Sequence, residues 1–121
     1  MNTTALTHNG QTVAFIDSPT PCIYTAADGM DIIATAHYEL SAAGCIIMKT
    51  ALDETFFDLS TGLAGEIMQK FSNYRMKAAI VRDFSAYESN ALKSFIYESN
   101  KIGHVLFLPT VDDALQALCE G

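Results

Sequence analysis

Phe56-Phe57-Asp58-Leu59-Ser60-Thr61-Gly62-Leu63-Ala64-Gly65-Glu66 reads as an apolar strand end running through two hydroxyls into an amphipathic helix. Such a junction puts Ser60 and Thr61 at a helix N-terminus, where unpaired N–H groups and the positive end of the helix dipole favour an anion. Downstream, Leu63, Ala64, Ile67, Met68 and Phe71 share one helix face, with Glu66, Gln69 and Lys70 on the other. Upstream, after a less regular stretch over 49–55, Cys45-Ile46-Ile47-Met48 is short and wholly apolar, as in strands covered on both faces.

The same alternation extends both ways. Met76-Lys77-Ala78-Ala79-Ile80-Val81 and His104-Val105-Leu106-Phe107-Leu108 read as two more buried strands. Between them, Ser85-Ala86-Tyr87-Glu88 has the form of a capping box opening a helix through Leu92, Phe95, Ile96 and Ser99. Thr110 caps a last helix with Val111, Ala114, Leu115 and Leu118 inward. Toward the N-terminus, Thr25-Ala26-Ala27-Asp28 opens a helix carrying Met30, Ile33, Ala34, His37 and Leu40, ending near Gly44. Asn9-Gly10, between Leu6 and the run Gln11 to Ile16, is a hairpin signal, and Ser18-Pro19-Thr20-Pro21 ends the sheet. The predicted order is β-β-α-β-α-β-α-β-α. It describes an α/β domain with a mostly parallel sheet of about five strands, an N-terminal hairpin and four helices.

Composition narrows the function classes. A chain of 121 residues is one domain, 1–121, and with half its residues apolar and 17% charged it folds rather than stays disordered. Its net charge of −7 and dispersed basic residues leave no footprint for nucleic acid or an anionic membrane surface. No run approaches the roughly 18 apolar residues of a membrane span, and the polar start is unlike a signal peptide, so a cytoplasmic location is expected. Cys22, Cys45 and Cys119 lack disulfide or zinc spacing and read as buried free thiols. His8, His37 and His104 share no motif, and no phosphate-binding loop or Gly-x-Ser-x-Gly elbow occurs. No cofactor or metal is implied.

The stretch from Phe56 to Phe71, with Asn73-Tyr74, Ala79-Ile80-Val81, Asp83-Phe84-Ser85 and Phe95-Ile96-Tyr97-Glu98-Ser99-Asn100, resembles an uncharacterised bacterial family, the domain-of-unknown-function group forty-one-eighty. The resemblance covers nearly the whole chain and carries no activity. Arg82 stands where a glycine would be expected before Asp83. The element order is also similar to the STAS domain of sulphate transporters and anti-sigma-factor antagonists. Ser60-Thr61-Gly62-Leu63 resembles the Ser-Ser-Gly-Leu by which antagonists enter their second helix, which implies Ser60 as a phosphoacceptor.

The candidate residues therefore centre on Ser60, Thr61 and Gly62. Asp58 and Asp83 are placed near the carboxyl ends of neighbouring strands, the edge where open α/β sheets bind ligands. Ser85 accompanies Asp83, and Glu66 suits a first helical turn. Gly65, inside a helix, suggests tight packing or a close ligand, with packing the plainer account. Capping alone explains each hydroxyl. Their combination with Gly62, Gly65, Asp58 and Asp83 points to a non-enzymatic regulatory or interaction module that presents 60–62 to a protein partner or small anion, with a homodimer compatible. The alternative is a Mg²⁺- or ligand-binding sensor or enzyme using Asp58 and Asp83.

Overall fold

In the computed structural model, which describes residues 2–119, Asn9 and Gly10 turn the chain with φ of 52° and 75°. Positive φ at both positions matches the turn to the twist of the flanking strands. It joins β1 (Asn2–His8) antiparallel to β2 (Gln11–Asp17). Strands β3 (Gly44–Met48), β4 (Lys77–Val81) and β5 (Val105–Leu108) then add in parallel, giving the order β1-β2-β3-β4-β5.

The three crossover helices, α1 (Ala26–Ala34), α2 (Leu63–Asn73) and α3 (Asn90–Ile102), share one face of the sheet, and α4 (Val111–Cys119) covers the other. The alternating pleat divides the core accordingly. Cys45, Ile47, Ala78, Ile80 and Phe107 meet the three-helix face, while Ile46, Ala79 and Val81 meet Ala114 and Leu118 of α4. Cys45 and Cys119 are buried and Cys22 is half-buried; all three are free, and burial pushes the Cys45 thiol up to about 12.

The edge strand β5 is held by the Ser99-Asn100 pair of α3. Ser99 Oγ donates to the Val105 carbonyl. The Asn100 amide accepts from the Phe107 N–H at 2.7 Å and donates to its carbonyl at 3.1 Å. A side-chain amide here stands in for the missing neighbour strand, which blunts an edge open to foreign pairing.

Two expectations about helix starts and ends need correction. The first helix keeps its Thr25/Asp28 capping box but passes into a π-helical turn at Thr35–Glu39 and stops at Leu40, short of Gly44, where Ser41 takes φ of 50°. Ser85 does not open α3. Tyr87 is extended and stacked on Phe57, so the helix start is delayed to Ser89, whose hydroxyl accepts from the Leu92 N–H. Thr110, in contrast, caps α4 as expected, accepting from the Asp113 N–H.

The largest correction concerns the stretch before α2. Phe56 to Leu59 is no strand end: β3 stops at Met48, and residues 49–61 form three single 3-10 turns, Lys49–Ala51, Glu54–Phe56 and Leu59–Thr61. Asp53 and Asp58 each accept from the N–H two residues on, and a single bridge of Leu52 to Ile23 pairs the Ala51 carbonyl and the Asp53 N–H, so the run stays outside the sheet ladder. Phe56 and Phe57 are consecutive yet both buried, plugging the core instead of alternating across a pleat. No helix of the described residues is long and apolar enough to cross a membrane.

Candidate functional site

The residues singled out from the sequence fall into two similar turns. Asp58 accepts from the Ser60 hydroxyl at 2.6 Å and the Ser60 N–H at 3.1 Å. Asp83 accepts from the Ser85 N–H at 3.0 Å, opening the turn Phe84–Ala86. Both carboxylates are fully exposed and sit below the ordinary range, each held there by the hydroxyl and then the N–H of its serine, with Arg82 adding to the effect at Asp83. The rings of Phe57, Phe84 and Tyr87 lie 5.4 to 6.0 Å apart and fasten the two turns side by side.

Ser60 lies three residues before Leu63, the first residue of α2. The residue at the helix start is Gly62, left-handed at φ 76°, and no side chain caps it. Thr61 spans the join, donating from its hydroxyl to the Thr55 and Asp58 carbonyls and accepting from the Leu63 N–H. A phosphate on Ser60 would meet the Asp58 carboxylate that its hydroxyl now contacts, so modification there would open the turn by like-charge repulsion. Glu66 is exposed in the first turn of α2. Gly65 is not packed: a Cβ there would meet nothing within 4 Å. It borders a separate cleft between α2 and α3, lined by Met68, Ser99 and His104.

The sequence reading missed the group beside these turns. Lys49 follows β3 directly and Arg82 follows β4 directly, and Met48 pairs with Val81 in register. Adjacent parallel strands therefore release two cations side by side at their carboxyl ends. Arg82 is exposed, whereas Lys49 is only 7% exposed, almost unknown for an unpaired lysine. Its ammonium pairs with Glu54 Oε1 and lies 5.3 Å from the ring centre of Phe57 and 5.5 Å from that of Tyr87, which stack on each other. Burial pulls the Lys49 ammonium down, but Glu54 and Tyr87 more than offset this and hold it above its ordinary value.

Lys49, Glu54, Arg82 and Tyr87 line an open cleft of about 200 Å³. The signal in the sequence was a cation directly after each of two apolar, mostly buried parallel strands. Among the described residues, Lys49–Glu54 is the one ion pair, and no three His, Cys, Asp or Glu side chains gather as metal ligands.

A family model described as Domain of unknown function (DUF4180) matches residues 8–118. The chain belongs to this family. No curated protein and no solved structure matches it. The DUF4180 match takes in β2 to β5, both Asp-x-Ser turns and all four residues of the cleft.

Proposed function

We propose that this domain is a non-enzymatic, cytosolic recognition module that binds a small anionic group, free or carried by a protein partner, in the cleft of Lys49, Glu54, Arg82 and Tyr87. The turns at 58–62 and 83–85 form its rim. The observation that carries this reading is Lys49: a buried ammonium opening onto a cleft at the carboxyl edge of a parallel sheet, beside a second cation. Held against two ring faces and beside a second cation, such a charge is positioned to meet an anion that enters the cleft.

This reading moves the anion site from the 60–62 helix start to the cleft beside it. The STAS resemblance, in element order and the Ser60-Thr61-Gly62-Leu63 stretch, speaks for the fold more than for a phosphorylation switch. The Asp58 and Asp83 carboxylates, each already accepting from its own turn, serve better as rim than as an ion site.

Titrating inorganic phosphate and acetate while following backbone amide shifts tests the proposal. Saturable shifts at Lys49, Arg82 and Tyr87 that vanish in Lys49→Met are expected. Shifts that persist in Lys49→Met, or none at all with these anions or with a dicarboxylate, contradict it.

A further inference from the structure

We infer that Glu54 is a built-in stand-in for the ligand, and that the cleft takes a small dicarboxylate whose one carboxylate displaces Glu54 from Lys49 while the other meets Arg82. This inference rests on the cleft being an anion site, and it adds the ligand class and an autoinhibitory contact.

The exposures of the pair are lopsided. The Lys49 side chain is 9% exposed and that of Glu54 is 70% exposed. A carboxylate thus reaches a buried ammonium from the solvent side, as an incoming ligand would. Lys49 cannot leave without abandoning the faces of Phe57 and Tyr87. Glu54 has only to swing into water, because its turn is held by the Asp53 cap rather than by its own side chain. Exchange of one carboxylate for another keeps the buried charge compensated throughout, avoiding the penalty of an unpaired buried ion.

Charge and size set the ligand class. Two cations line the cleft and one carboxylate, that of Glu54, faces them. A monocarboxylate replacing Glu54 leaves Arg82 with only the exposed Asp83 carboxylate beside it, outside the cleft; a second carboxylate meets it within the cleft. The planar guanidinium donates to a carboxylate in a bidentate fork. The open cleft of about 200 Å³ has room for a four- or five-carbon diacid. The aromatic wall of Tyr87 suits its methylenes.

Succinate is the probe, titrated calorimetrically into the parent, Glu54→Gln, Lys49→Met and Arg82→Gln, with acetate and phosphate alongside. Removing the stand-in is expected to tighten succinate by at least about tenfold in Glu54→Gln, and to let succinate recover the melting temperature that this variant loses. Lys49→Met loses binding, and Arg82→Gln reduces succinate to the affinity of acetate. Where Glu54→Gln does not fold, Glu54→Asp, one methylene short of Lys49, gives a smaller gain in the same direction. Equal succinate affinity in the parent and the Glu54 variants overturns the stand-in and leaves the cleft. Succinate no tighter than acetate, or phosphate tighter than both, overturns the dicarboxylate class. Failure of all three anions in parent and Glu54 variants alike overturns the cleft itself.

Discussion

The Asp-x-Ser turns and the Lys49 cleft share one edge of the sheet, yet their charges are handled in opposite ways. Asp58 and Asp83 are satisfied within two residues, fully exposed, and would make the same bonds in a short peptide. Lys49 is satisfied by Glu54, Phe57 and Tyr87, contributed by two crossover connections, and is buried by the fold that brings them together. A charge solved locally shapes a turn; one solved by the tertiary structure holds field in reserve for something that enters.

Removing partners on each side separates the two most sharply. Glu54→Gln leaves the buried ammonium uncompensated and is expected to lower stability by about 1–2 kcal/mol, less than the loss for a fully buried pair because Glu54 is mostly exposed. The double variant Lys49→Met with Glu54→Gln recovers most of that loss in urea denaturation. A Glu54→Gln variant as stable as the parent would break the contrast.

Gly65 probes the helix that follows the Asp58 turn. A Cβ there finds open space, so Gly65→Ala gains about 1 kcal/mol from helix propensity alone, read in the same denaturation assay. Were the glycine required for packing, the substitution would destabilise.

Smaller effects belong to the turns. Ser60→Ala and Ser85→Ala each change stability by less than about 0.5 kcal/mol, while in the Ser60→Ala variant the Asp58 carboxyl returns toward its ordinary value, seen in a carboxyl chemical-shift titration. The sign of the acid dependence follows. Because folding depresses both carboxyls, their contribution is present above the unfolded value of about 3.9 and is lost as pH falls through the lower folded values. Lys49 acts in reverse. Its raised value means a contribution present below the unfolded value of about 10.4 and lost as pH climbs through the folded one.

The alternation of apolar strands and amphipathic helices was legible because Ile46, Ile47, Ala79 and Ile80 must be covered on both faces wherever they lie. The hairpin was legible because Asn9 and Gly10 tolerate positive φ. The run from Lys49 to Thr61 was not. Asp53, Asp58 and Asp83 cap single turns with the same chemistry that caps helices, and Phe56-Phe57 looks like a strand whether it pairs or plugs. Ser85 and Ser89 are equally good caps locally, and only the stacking of Tyr87 on Phe57 selects the second. Lys49 escaped for the same reason, since its burial depends on a tyrosine in the next crossover connection.

The most direct measurement is the side-chain ammonium resonance of Lys49 during a succinate titration. An ammonium held between Phe57, Tyr87 and an acidic partner exchanges slowly enough with water to be seen. The account predicts a distinct Lys49 signal that moves saturably with succinate, while the Ser60 and Ser85 amides move little. A Lys49 signal unchanged at saturating succinate, or shifts confined to the Ser60 and Ser85 turns, would contradict it.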